Sequence, residues 1–427
     1  MARCGSGRVP LVSPIRRQMT PARASFRQQC PSGQNLLQSL VKLDGARVQH
    51  LKMEARNDSA KGRGLYAVED VAPGELLLDV PWGEVFSGDG AVDGPWGAEM
   101  GVKLAKLHKQ ESRSEVCGAW LESLPRDPLF PPLAFSGEEL SAILDETTRT
   151  EALNIGESMR DAFEELPTES GISWDIFYHA VSVLHGRCFC VGETHVTVPG
   201  IDLANHSFDP SARVNILNSP DLSQGLSASE EVCDPPKSKV STSVMQLIAN
   251  ESGIKRGDEI TISYGSWPND VLFLLFGFVV PDNPNDVAVI FMDEFDLLDF
   301  LEELVIEESS HFSEYFSEIR SMTEEWCSQQ EMDFGRMVVS YEGIDGRIGP
   351  IMESFHTNSK QVLSSSEESI SAIPPAMVVH RRCDGLLQAF ENDSAPEAKC
   401  NLIRDLNLAK ETLLRAVVRN LTKRRTA

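Results

Sequence analysis

The sequence predicts an α+β protein, with a β-rich core interrupted by a helical insertion and followed by an all-α C-terminal domain. Three observations predict it. Tyr66, Val68, Leu76, Leu78 and Val80 alternate around the Pro73-Gly74 turn, so Leu65 to Pro81 reads as a β-hairpin. Strand-like runs recur at Val196 to Ile216 and on both sides of the polar stretch Asn218 to Thr242. Apolar residues fall at helical spacing instead at Trp96, Met100, Leu104 and Leu107, and again at Phe295, Leu298, Leu301 and Val305. These shifts place a β-rich domain at 50–292, a helical insertion within it at 87–180, and the helical domain at 293–427.

Composition sets the outer bounds. The 427 residues are 41% hydrophobic and 24% charged, ordinary for a folded chain able to bury a core. A net charge of −25 argues against direct nucleic-acid binding. Nine cysteines without a C-x-x-C pair argue against zinc and read as reduced thiols. No apolar run reaches the roughly 18 residues of a membrane span. Arg3, Arg8, Arg16, Arg17, Arg23, Arg27 and Lys42 all precede the first acidic residue, Asp44, so residues 1–43 read as an organellar transit peptide; a basic tail is the alternative.

Along the chain, Gly83 to Pro95 is a glycine-rich loop, and Cys117 to Leu124 continues the helical pattern. Phe177 to Leu184 is helical and delivers Arg187, after which Phe189 and Val191 mark a strand. Asn218 to Thr242 has too little apolar content for structure of its own and reads as a surface loop. Ser364 to Ser371 is a serine-rich linker, and Leu402, Leu406, Ala409, Leu413, Val417 and Leu421 form one stripe of a closing helix.

Three blocks carry chemistry: Lys61-Gly62-Arg63-Gly64-Leu65-Tyr66-Ala67, Asp202-Leu203-Ala204-Asn205-His206-Ser207, and Ile262-Ser263-Tyr264-Gly265. In order and spacing they resemble the glycine-rich opening, the NHS motif and the catalytic tyrosine segment of SET-domain methyltransferases. Trp120-Leu121, Leu124-Pro125, Pro131-Pro132-Leu133, Phe135 and Glu138-Glu139-Leu140 resemble the helical insert of one branch, the Rubisco large-subunit lysine methyltransferase family. The resemblance covers residues 50–290 by motif and 293–427 by pattern.

What the resemblance implies is a monomeric plastid protein-lysine N-methyltransferase that uses S-adenosylmethionine, needs no metal and docks a non-histone protein through its helical C-terminal domain. A mitochondrial or cytoplasmic location is the alternative. Gly62, Arg63, Gly64, Arg187, Asn205, His206 and Tyr264 would contact the cofactor, with Arg187 near its carboxylate. Tyr264 would be catalytic, and Phe189, Phe276 and Phe278 would wall the acceptor channel. Asp202 orients its turn. Taken alone, each has a structural explanation: glycines make tight turns, Asn and His are common turn residues, a lone arginine is usually a surface residue, and aromatic residues are usually core. The chain departs from its relatives at Phe276, where tyrosine is commoner before Gly277-Phe278. That departure keeps two rivals open, a protein-histidine methyltransferase and a catalytically weak SET-like scaffold.

Overall fold

In the computed structural model the described residues are 28–43, 47–48, 50–58, 62–88, 97–110, 112–191, 194–217, 244–308, 313–365, 373–392 and 400–426. The expected loop at 218–242 lies outside them, as do most of the leader and of the serine-rich linker.

The chain opens with a two-residue strand β1 (Gln28–Gln29) and helix α1 (Pro31–Val41). Strands β2 (Met53–Asp58), β3 (Gly62–Ala67), β4 (Leu76–Pro81) and β5 (Phe86–Ser87) follow. Helices then take over: α2 (Ala98–Leu107), α3 (Glu115–Ser123), α4 (Pro131–Ala134), α5 (Gly137–Leu140), α6 (Glu146–Glu164) and α7 (Trp174–His185). Their starts are written locally, because Ser114, Asp145 and Ser173 each accept a backbone N–H of the first turn, and Ser136 with Glu139 forms a reciprocal capping box. Strands resume as β6 (Phe189–Val191), β7 (Thr194–Thr197), β8 (Asn205–His206), β9 (Ala212–Leu217), β10 (Val244–Ala249) and β11 (Glu259–Ile262).

These strands form three small sheets, ordered β1-β2-β3-β11-β8, β4-β10-β9 and β5-β7-β6. In the first, β11 runs antiparallel to β3 but parallel to β8, with Thr261 opposite Asn205 and Ile262 opposite His206. All three sequence blocks therefore meet on adjacent strands. The expected hairpin is corrected here: β3 and β4 belong to different sheets, paired with β11 and β10 respectively. Alternation identified both as strands but carries no information on which edge each one joins.

The extent of the leader is also corrected. Helix α1 packs on α3, and Leu36, Leu37 and Leu40 are fully buried in the main core, while β1 pairs with β2. The described residues 28–43 are thus part of the fold. Acid-free composition does not distinguish a basic leader from an amphipathic helix that happens to lack acids.

Beyond the short helix α8 (Asn269–Val271) and a π-helical turn at Leu272–Phe276, a strand β12 (Val287–Phe291) begins the C-terminal part. It continues through α9 (Glu294–Glu308), α10 (Ser313–Ser328), β13 (Met337–Ser340), α11 (Ile348–Val362), α12 (Pro375–Asn392) and α13 (Asn401–Thr426). The part is helical but holds a two-stranded β12–β13 sheet, and its core starts at Ala288, upstream of the expected boundary at Asp293. Residues 287–291 alternate as a strand should, and a strand needs a ladder partner, which β13 supplies.

A third, smaller core joins the two parts. Leu140, Ile143 and Ala152 of the insertion pack with Phe273 and Leu274 of the π-helical turn and with Ile403 and Leu406 of α13. Next to it Lys410 is buried, its Nζ 3.4 Å from Asp286 and 3.6 Å from Asp270, and it also donates to the Val287 carbonyl. Burial alone would lower its pKa, but Asp270, Asp286 and Asp145 outweigh it and raise the value. Asp286 in turn accepts from the backbone and side chain of Asn269.

Two deletions test the role of α1. Removal of residues 1–43 should leave little soluble protein, since losing three fully buried leucines forfeits about 1.5–3 kcal/mol each against a total stability of roughly 5–15 kcal/mol. Removal of residues 1–27 should leave the thermal midpoint nearly unchanged. Thermal melting of both forms checks this.

Candidate active site

Tyr264 stands where the strands end and a large cleft begins. It follows β11 by two residues, and its backbone N–H donates to His206 Nδ1 at 3.0 Å. That bond fixes the histidine tautomer, because an acceptor Nδ1 places the ring proton on Nε2. Burial pushes the His206 pKa down, so the ring is neutral. Its Nε2 is buried without a hydrogen-bond partner among the described residues.

The Tyr264 hydroxyl donates to the Ala204 carbonyl at 2.8 Å. Burial pushes its pKa up to about 12; Arg187 opposes that rise, whereas Asp202 and Glu259 add to it. The phenol is therefore a neutral group whose proton is committed, leaving only oxygen lone pairs for any other partner.

Around it lie the rings of Phe276, Phe278 and His206, at centroid distances of 5.3, 6.3 and 5.3 Å. Phe276 ends the π-helical turn. The wider π turn allows five consecutive apolar residues to serve two cores: Phe273 and Leu274 face the junction, and Phe276 reaches the tyrosine. Phe189 is in β6, and like Phe276 it lines the cleft.

Asp202 holds the other side of the site. Its buried carboxylate accepts from Arg187 Nη1 at 3.0 Å, from Trp120 Nε1 at 3.1 Å and from the Gly200 N–H at 3.0 Å. The same Arg187 nitrogen donates to the Asp202 carbonyl at 2.8 Å. Asp202 does orient its turn, as expected, and it also ties that turn to α3 and to the residues after α7. Arg63 lies near the same carboxylate, with one guanidinium nitrogen on the Ser123 carbonyl and its buried Nε without a hydrogen-bond partner among the described residues. Its pKa is lowered by burial and by the neighbouring Arg187, against the pull of Asp202. Two guanidiniums thus lie near one carboxylate, and Arg187 is the one paired with it.

Asn205 Nδ2 donates to Glu259 at 2.8 Å. Gly64 makes room for this pair, since a Cβ there would come within 2.8 Å of Asn205 Nδ2 and 2.9 Å of the Glu259 carboxylate. Gly62 is exposed in open space.

The cleft has a volume of about 1190 Å³ and is walled by the insertion, by the strand-borne site and by the C-terminal part. Arg187, Phe189, Asp202, Tyr264 and Phe276 line it; Gly62, Arg63, Gly64, Asn205, His206 and Phe278 do not. Tyr264 links the two groups, since it lines the cleft and its N–H is bonded to His206, which does not. Sequence reasoning missed Trp120 as the partner of Asp202 and Trp267 at the cleft; a tryptophan in an apolar helix gives no sign of where its N–H will point.

Breaking the shared carboxylate should be costly. Asp202→Ala leaves Trp120 without its acceptor and Arg187 with only the backbone carbonyl in place of its counter-charge, and removing one partner of a buried pair costs about 3–5 kcal/mol. Urea denaturation of the variant, read as a shift in midpoint, measures it.

Comparison with known proteins adds the following. No family model matches the chain. The chloroplastic ribulose-1,5-bisphosphate carboxylase/oxygenase large-subunit N-methyltransferase of Nicotiana tabacum is 24% identical over 282 residues, spanning 59% of this chain and 54% of that protein. The chain thus matches about half the length of that relative. The SET domain of LSMT bound to lysine and AdoHcy superposes with a TM-score of 0.61 at 16% identity, covering 93% of this chain and 92% of that one. Rubisco LSMT bound to sinefungin and monomethyllysine gives 0.60 at 14% identity, covering 93% of each. The three motif blocks meeting in one sheet and the superposition over 93% of the chain lead to one conclusion: the chain has the SET-domain fold, in the arrangement seen in the Rubisco LSMT structures, helical C-terminal region included.

Proposed function

We propose that this protein is a protein-lysine N-methyltransferase that uses S-adenosylmethionine and acts on a non-histone plastid protein. The observation that carries the reading is the Tyr264 hydroxyl, donating to Ala204 at the point where the cleft meets the sheet. The tobacco relative is a chloroplastic N-methyltransferase, which supports both the reaction class and the location.

The residues present fit the cofactor. Arg63 and Arg187 together outnumber the one carboxylate between them and suit the carboxylate of a methionine moiety. His206 has an unpaired buried Nε2–H, which suits an acceptor on a ligand. Gly62 leaves open space at the start of β3, and Asn205 sits against Gly64 two residues further on. The bound cofactor supplies an electrophilic methyl group on sulfonium.

The acceptor side follows from charge and geometry. A lysine amine must be neutral to attack, and at pH 8 an ordinary lysine of pKa 10.4 needs about 3 kcal/mol to lose its proton. The rings of Phe276 and Phe278 beside Tyr264 offer an apolar wall that disfavours the charged form. Tyr264, with its proton committed and its pKa near 12, is no base. Its lone pairs accept an amine N–H, so the nitrogen lone pair turns toward the methyl, and they favour positive charge developing there. The substrate protein docks in the cleft, one wall of which belongs to the C-terminal part, and a single chain supplies every group named.

Three measurements test this reading. Titration calorimetry of the full chain should detect S-adenosylmethionine; no heat above dilution would refute the enzyme. Tyr264→Phe should lower the transfer rate by roughly 100- to 1000-fold while leaving cofactor affinity within about twofold, because the lost oxygen acts at the transition state. The wild-type rate should rise with pH as the acceptor amine loses its proton, with no decline from tyrosine ionisation near pH 10, since burial pushes the phenol pKa up to about 12. A downturn near pH 10 would show that Tyr264 ionises as an exposed phenol.

Phe276 bears on the product. Its edge replaces a hydroxyl that could hold the amine or a water and hinder its rotation, so the wild type should proceed beyond monomethyl-lysine. Mass spectrometry should find Phe276→Tyr shifted toward fewer methyl groups; an unchanged distribution in a folded variant would show the ring to be packing only.

A further inference from the structure

We infer that Trp267 is a specificity residue that selects an apolar side chain flanking the acceptor lysine of the protein substrate, an inference that rests on the methyltransferase reading. Trp267 is 43% exposed and Met292 45% exposed, and of the exposed large apolar side chains among the described residues these two line the cleft. The others lie elsewhere on the surface. An exposed indole inside a concave site, three residues from the proposed catalytic tyrosine, is the kind of anchor that dominates binding at protein interfaces.

The position of the ring is built. Its Nε1–H donates to the Tyr264 carbonyl at 2.8 Å, so the indole is tied to the backbone of the very residue that orients the amine. Gly265 between them has φ +125°, and a Cβ there would lie 2.5 Å from the indole nitrogen. Only glycine allows the turn to fold the ring back in this way.

The chemistry of the occupant follows. The single polar atom of the indole is already satisfied, so the ring offers the cleft only hydrocarbon. Leu275, Phe276 and Ile290 line the same cleft and add to that surface. Several charged residues of the lining are engaged within the protein: Arg382 pairs with Asp296 at 3.1 Å, Arg336 with Glu151 at 3.1 Å and Arg187 with Asp202 at 3.0 Å, and Arg149 donates to the Ile143 carbonyl. What the Trp267 ring offers a substrate beside Tyr264 is apolar contact. In an extended peptide one residue spans about 3.3 Å and alternate side chains share a face, so the selected position lies within about two residues of the lysine.

The experiment presents a lysine-centred peptide library to the full chain with methyl-radiolabelled S-adenosylmethionine, and measures cofactor affinity calorimetrically in parallel. Wild type should methylate peptides carrying Leu, Ile, Met or Phe at one flanking position about tenfold more efficiently than those carrying Ser or Ala. Trp267→Ala should erase that preference, chiefly through KM, with cofactor affinity retained as evidence of folding. Trp267→Phe, which keeps an apolar ring without the N–H, should retain most of it and guards against misfolding of the alanine variant. A preference that persists in a folded Trp267→Ala, a preference for basic residues reflecting a cation over the ring, cofactor binding with no labelled peptide, or labelling with no flanking preference would each overturn the inference alone. Absence of both cofactor binding and labelling would instead bring down the methyltransferase reading, and this inference with it.

Discussion

The buried carboxylate of Asp202 is the constraint around which the site is arranged. Its two oxygens gather donors from three parts of the chain: Trp120 in α3, Arg187 after α7, and the backbone at Gly200. A carboxylate out of water is tolerated only when its lone pairs are filled, so each donor depends on the others being in place. The helical insertion is thereby fixed against the turn that leads into Asn205 and His206. Remove the insertion, and the carboxylate loses its Trp120 donor and most of the helix that delivers Arg187.

A second buried charge does the same for the C-terminal part. Lys410 projects from the apolar face of α13 toward Asp270 and Asp286, which belong to segments leading out of the β-rich part. Asn407 on the same helix donates to the Ala142 carbonyl and accepts from the Leu144 N–H, so α13 also grips the insertion. Directional bonds at the junction define how the walls of the cleft face one another, which apolar contact alone would leave less specific.

Between these two anchors the tyrosine is held by groups it does not react with. The backbone N–H goes to His206, the hydroxyl proton to Ala204, and the backbone carbonyl to Trp267. Three fixed bonds on one residue leave its oxygen lone pairs as the free function. Such preorganisation is what electrostatic stabilisation of a transition state requires.

Much of this was legible in the sequence. The glycine-rich, NHS and tyrosine blocks named the site, because glycine, buried polar pairs and an isolated tyrosine are locally conspicuous, and helical and strand periods located most elements. The sequence stripe of α13 likewise exposed its buried face, though a lysine at position 410, four residues after Leu406 and three before Leu413, passed unremarked. Periodicity determines which face of an element is covered. Tertiary structure alone decided what covers it: that β3 joins β11 and β4 joins β10, that α1 is core although its neighbours are basic, that the π turn carries Phe276 to the tyrosine. The same holds for the charges, since Trp120 and Asp202 are 82 positions apart and Lys410 and Asp286 are 124 apart. A hydrogen bond needs two atoms within about 3 Å, and nothing local to either residue encodes the other's place.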